Sequence, residues 1–135
     1  MSVGQFPSTR MRRNRYDAWT RRLVAENALS VDDLIWPIFI IEGRGMTTDV
    51  ASMPGVQRVT LDRLARHVEP ALQYGIPAVA LFPATPPEKK DAEGTEATNP
   101  ENLMCEASRL LKREFPELGL VGDVALDPYT DHGHD

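Results

Sequence analysis

The chain has 135 residues, 41% of them hydrophobic, and a formal net charge of −5. That length and apolar share suit a single domain with an ordinary core. No apolar run approaches the ~20 residues that cross a bilayer, and one cysteine, Cys105, rules out an intramolecular disulfide, so a reducing, cytoplasmic setting is expected.

The charge is unevenly spread. Residues 10–22 hold six arginines and one acid, Asp17, a net of +5, which leaves −10 on the remainder of a chain whose total is −5. Within 10–27, Tyr16, Trp19 and Leu23 recur at helical spacing between the arginines, which predicts a short amphipathic helix. A basic arm on an acidic body suits nucleic acid, a membrane surface or an acidic neighbouring subunit. The arm is short and carries an apolar stripe, which favours the subunit reading over nucleic acid or membrane. Residues 1–30 are therefore expected to form an arm and 31–135 the main domain.

Leu34 to Ile41 is continuously apolar and β-branched, the pattern of a strand buried on both faces. Pro37 lacks a ladder donor and implies an edge or a local irregularity. Gly43, Gly45 and Ser52-Met-Pro-Gly55 make 42–56 a loop. Thr60 is placed to cap a helix whose inner face is Leu61, Leu64, Val68, Ala71 and Leu72 and whose end is Gly75. Pro70 predicts a kink or a boundary near Glu69. A second buried strand runs from Ile76 to Phe82, followed by a polar loop over 83–100. Asn99-Pro100-Glu101 has the order of a helix start. The helix it opens carries Leu103, Ala107, Leu110 and Leu111 inward and ends near Phe115-Pro116. Leu118 to Leu126 is the third strand. Strand, helix, strand, helix, strand with two-sided apolar strands predicts a parallel α/β sheet. Three such strands leave edges open, so the unit either docks on something larger or is part of a longer protein.

The chemistry gathers after the third strand. Asp123, Asp127, Asp131 and Asp135 fall at every fourth position, with His132 and His134 among them. Oxygen and imidazole donors of this kind suit Mg²⁺, Mn²⁺ or Zn²⁺; the alternative is that the aspartates cap turns and the histidines hold backbone. Val124, Ala125 and Pro128 exclude the spacing of an EF-hand. Asp123, inside an apolar run, reads as a buried carboxylate that is either hydrogen-bonded structure or an acid/base group. Glu42, Pro83 and this cluster all stand at carboxyl ends of strands, where parallel sheets place their working residues. Lys89, Lys90 and Lys112 lack the apolar surroundings that favour imine chemistry, and Cys105, in a helix without a nearby histidine, reads as inert.

Asp123-Val-Ala-Leu-Asp-Pro-Tyr-Thr-Asp-His-Gly-His-Asp135 resembles the metal-loop signature of the porphobilinogen synthase (5-aminolevulinate dehydratase) family. The resemblance extends through Asp33 to Gly43, Ser52 to Val56, Gly75 to Pro83 and the arginine arm. It implies an α/β fold, with the chain forming the first three β/α units of a (β/α)₈ TIM barrel behind an oligomerisation arm, commonly in an octamer. It implies a lyase of haem biosynthesis that condenses two 5-aminolevulinate molecules to porphobilinogen with loss of two waters. The imine-forming lysines lie on later strands, so the chain alone is expected to be inactive. Zinc-dependent relatives carry cysteines at the positions of Ala125, Asp127 and Asp135. The chain thus resembles the aspartate-type branch, with Asp127 and Asp135 as metal ligands for Mg²⁺ or another hard cation and no catalytic zinc or organic cofactor expected. Asp123 matches an acid beside the substrate amino group. Asp131 stands where the family more often has a small hydroxyl residue, and its added charge has no assigned role. The contrasting reading is a truncated, non-catalytic α/β interaction module that docks through its arginine arm.

Overall fold

The structure, a computed structural model, describes residues 4–134 and divides the chain into two units, 1–30 and 31–135. Asp135 lies outside the described residues.

In the first unit, the helix expected across 10–27 is reduced to a 3₁₀ turn at Arg13–Arg15 and to α1, Ala18–Leu23. Asp17 is extended between them, and the Arg21 guanidinium donates to the carbonyls of Arg15 and Tyr16 at 2.9 and 2.8 Å. Tyr16, Trp19 and Leu23 are largely exposed. A six-residue helix with no apolar face covered is too short to be strong by itself.

The second unit is built on β1 (Ile35–Ile41), β2 (Thr47–Asp49), β3 (Gln57–Thr60), α2 (Leu61–Gln73), β4 (Ala78–Ala84), α3 (Leu103–Glu114) and β5 (Gly119–Gly122). The sheet order is β2-β3-β1-β4-β5. β1 and β4 pair in parallel along their whole length, Ile35↔Ala78 to Ile41↔Ala84, and β5 joins β4 in parallel from Ala78↔Gly119 to Leu81↔Gly122. Two strands inside and after the expected 42–56 loop are additional. β3 runs parallel to β1 from Phe39↔Arg58, and β2 lies antiparallel on β3. Pro37 sits before that register begins, where β1 has a paired neighbour only in β4, an edge-like position that suits a residue without an N–H.

Strand alternation divides the sheet into two unlike faces. Ile38, Ile40, Val79 and Leu81 are buried under Leu64, Val68 and Ala71 of α2 and Leu103, Ala107 and Leu111 of α3. The other face carries Phe39 against Phe82, ring centroids 5.6 Å apart, and Ile35 and Val121 stay 55% and 44% exposed. The expectation of strands buried on both sides is therefore met on one side only, because both helices cover the same face.

α2 runs unbroken past Glu69 and through Pro70. The proline leaves the Arg66 carbonyl without its usual partner, at a cost of about 3 kcal/mol. Burying Leu64 and Val68 contributes about 1.5–3 kcal/mol each, so packing outweighs the break. The helix ends in a Schellman motif. Ile76 N–H bonds Ala71 C=O at 2.8 Å, Gly75 N–H bonds Leu72 C=O at 3.1 Å, and Gly75 has φ +73°. Leu72, expected inside, is 41% exposed. α3 begins three residues later than the start expected from Asn99-Pro100. Asn99 Oδ1 accepts from Glu101 N–H in a local turn, and the cap is buried Asn102, whose Oδ1 accepts from Cys105 N–H at 2.8 Å.

A sheet with one bare apolar face is expected to associate or bind hydrophobic dye when residues 1–135 are prepared alone. Light scattering and dye fluorescence check this; a sharp two-state melt of a monomer without dye binding would contradict it.

Candidate site at the carboxyl edge of the sheet

Parallel pairing brings the ends of β1, β4 and β5 to one edge, so Glu42, the 85–100 loop and the segment from Asp123 onward leave the sheet together. β5 stops at Gly122 rather than Leu126. Asp123 is the first residue past the strand, and it is exposed rather than buried. Val124 beside it is 98% exposed. The apolar neighbours that made the carboxylate look buried do not cover it.

Downstream, the chain folds back as a hydrogen-bonded turn. Leu126 C=O accepts from Tyr129 and Thr130 N–H at 2.8 and 3.1 Å, and the two donor residues are buried. Asp127 lies in this turn and is exposed. Thr130 Oγ1 donates to His134 C=O at 2.9 Å. His134 N–H donates to His132 Nδ1 at 3.3 Å, and His132 Nε2 lies 3.3 Å from Ala92 C=O. These contacts fit the tautomer in which Nδ1 accepts and Nε2 donates. His132 holds backbone here. Among the described residues no group of three His, Cys, Asp or Glu side chains is arranged to hold a metal ion. Of the expected ligand pair, Asp127 is described and Asp135 lies outside the described residues.

The residue that organises this edge is Asp91, which has no motif to announce it. Its N–H donates to Tyr129 C=O at 3.3 Å and its C=O accepts from Asp131 N–H at 3.1 Å, a parallel bridge that pairs Asp91 with Thr130 in a distant loop. Its Oδ1 accepts from Glu93 and Thr95 N–H at 3.1 and 2.9 Å. The Thr95 contacts chiefly hold the Asp91 carboxyl below its ordinary 3.8, aided by Gly94 and Glu93. Gly94, at φ +64°, lies against this turn; a Cβ there would stand 3.4 Å from Thr130 Cγ2. Burial pushes the Tyr129 phenol up, with Cys105 and Glu96 nearby adding to it.

Glu42 accepts from Lys89 Nζ at 2.6 Å, and Glu96 lies 3.6 Å from the same nitrogen. The Glu42 hydrogen bond is the main reason the Lys89 ammonium is held above its ordinary value, against a smaller desolvation effect. A lysine so held stays protonated and is a poor amine nucleophile. Lys112 donates to the carbonyls of Pro116 and Leu118. An apolar cleft of about 360 Å³, lined by Leu34, Trp36, Pro70 and Tyr74, opens at the opposite, amino end of the strands, away from the edge where parallel α/β folds carry their chemistry.

The family model for Delta-aminolevulinic acid dehydratase matches residues 8–135. The chain is 55% identical over 126 residues, 93% of its length, to the Delta-aminolevulinic acid dehydratase of Bradyrhizobium diazoefficiens. It is 47% identical over 128 residues to that of Chlamydia pneumoniae. It spans 36% and 39% of those relatives' lengths. Among solved structures it is similar to delta-aminolevulinic acid dehydratase (porphobilinogen synthase) from Toxoplasma gondii in complex with the reaction product porphobilinogen. There the TM-score is 0.83 at 40% identity, covering 94% of this chain and 36% of that one. That relative is a TIM barrel, and the α/β sheet here corresponds to part of it, two complete β/α units and the strand of a third.

Because the Asp91 carboxylate is stabilised in the folded state, its contribution is present above pH 3.8 and lost as pH falls through its lower folded value. Its carboxyl carbon, followed by NMR, is expected to titrate with a midpoint below 3.8; a midpoint at or above that value would show that the Thr95 and Glu93 bonds do not form.

Proposed function

The chain belongs to the delta-aminolevulinic acid dehydratase family, and on that premise we propose that the full-length protein is a porphobilinogen synthase. It joins two 5-aminolevulinate molecules into porphobilinogen and releases two waters. The observation that carries this reading is the family match running to residue 135, through the whole strand-end motif that begins at Asp123.

In this reading the carboxyl edge of the sheet is one wall of the site. Asp123, past the end of β5 and open to solvent, holds the substrate amino group or carries a proton to or from it; an acid positioned this way contributes about 10²–10⁴-fold. The imine-forming lysines belong to later strands of the barrel, and the 135-residue chain alone is inactive. Asp127 and Asp135 would hold Mg²⁺ or another hard cation, since carboxylates favour such ions over the zinc that thiolates retain. The bound cation would supply positive charge beside the substrate. Residues 1–30 join copies of the chain into a homo-oligomer, an octamer by family resemblance. The exposed stripe of Tyr16, Trp19 and Leu23 supports that role, and the same stripe favours the contrasting reading of a docking module without catalysis. The protein works in the cytoplasm.

Full-length protein given 5-aminolevulinate is expected to yield porphobilinogen, and Asp123→Asn to lower kcat by about 10²–10⁴-fold. Absence of product from a folded, full-length preparation would favour the docking module. Activity is also expected to survive a zinc-selective chelator; a loss that only Zn²⁺ restores would overturn the aspartate-type assignment. Deleting residues 1–22 is expected to lower the assembly mass measured by light scattering, and an unchanged mass would remove the arm from the interface.

A further inference from the structure

Three strand-end segments meet at the carboxyl edge, and two consecutive links join them. Lys89, in a 3₁₀ turn after β4, reaches Glu42 directly after β1 at 2.6 Å, across 47 positions of sequence. Glu96, only 15% exposed at its side chain, is a second carboxylate 3.6 Å from the same ammonium. Two residues further on, Asp91 engages the turn after β5 with both of its backbone groups, on Tyr129 and Asp131. Its side chain meanwhile fixes its own loop through Glu93 and Thr95. The links are in series along the chain, Lys89 on Glu42 and Asp91 on the turn after β5.

We propose that Lys89–Asp91 is a positioning brace, in which Lys89 fastens the loop after β4 to Glu42 and Asp91 then sets the placement of the Asp123–His134 segment for catalysis. The catalytic part rests on the synthase reading above. Neither Lys89 nor Asp91 touches reacting atoms; they act through the segment they hold. A surface ion pair without this role would change little when removed. Here, placement errors pass to a catalytic acid, and a 1 Å misplacement at reacting groups costs about a hundredfold.

The test uses full-length protein and the variants Lys89→Met, Lys89→Arg, Glu42→Gln and the Lys89→Met/Glu42→Gln pair. Hydrogen exchange reads the brace without reference to activity. Exchange of the Asp131 and Thr95 amides is expected to quicken in Lys89→Met and to return toward parent rates in Lys89→Arg. In steady-state kinetics, kcat is expected to fall roughly tenfold in Lys89→Met with a smaller change in KM, at an unchanged thermal midpoint. The double variant is expected to be no worse than either single one, since both break the same link.

Unchanged exchange at Asp131 in Lys89→Met would overturn the brace. Quickened exchange with kcat within about twofold of the parent would overturn its catalytic role, because the segment would move without consequence. A parent protein that makes no porphobilinogen would refute the synthase reading and the catalytic role with it, while the exchange measurement would still decide whether the brace exists.

Discussion

The parallel register of β1 on β4, unbroken from Ile35↔Ala78 to Ile41↔Ala84, is the constraint from which the site follows. Strands that run the same way must be joined by crossovers, and α2 and α3 serve as those crossovers, both on the face of Ile38, Ile40, Val79 and Leu81. Every strand in the series then ends at the same edge, and whatever follows each strand meets its neighbours there. Glu42, Lys89, Asp91 and Asp123 are far apart in sequence and become one surface only because β1, β4 and β5 point the same way. The covered face and the bare face have one origin. A barrel sheet is packed by helices outside and by side chains from its other strands inside. This chain, at 36% of the length of the Bradyrhizobium relative, supplies the outer packing for its own strands, and Phe39, Phe82 and Val121 line the inner side.

The strands that were legible in the sequence are those with dense apolar runs, β1 and β4, and the same reasoning found α2 and α3 from their periodicity. What escaped lacked that signal. β2 is three residues, all exposed, and β3 is four, with Gln57 and Arg58 in front of Val59. The third strand overshot because Val124, Ala125 and Leu126 prolong an apolar run after β4 has ceased to pair with it at Gly122. Burial of Asp123 was inferred from those same neighbours. An apolar flank marks burial only where something covers it, and Val124, 98% exposed, is left uncovered by the described residues. Asn99 and Asn102 are both good turn acceptors three residues apart, and which one caps α3 is decided by tertiary bonds from Asn102 Nδ2 to Glu96 and Ala97 C=O.

The ladder of aspartates reads differently once its backbone is seen. Asp131 takes part through its N–H, on Asp91, and the histidines satisfy carbonyls and amides of the turn. Asp123 stands just past the strand end and Asp127 in the turn. The residue holding that turn in place, Asp91, was invisible because the groups it joins there are backbone groups of Tyr129 and Asp131, far along the chain. Sequence spacing registers side-chain chemistry well and backbone lacing hardly at all.

The most direct measurement is a crystal structure of the full-length protein with porphobilinogen bound. The expected result places the product against the carboxyl edge of β1, β4 and β5, its amino group within about 3 Å of the Asp123 carboxylate, with Asp131 N–H still bonded to Asp91 C=O. Product bound elsewhere, such as at the apolar cleft by Trp36 and Tyr74, with Asp123 left in solvent, would contradict the assignment of this edge as a wall of the active site.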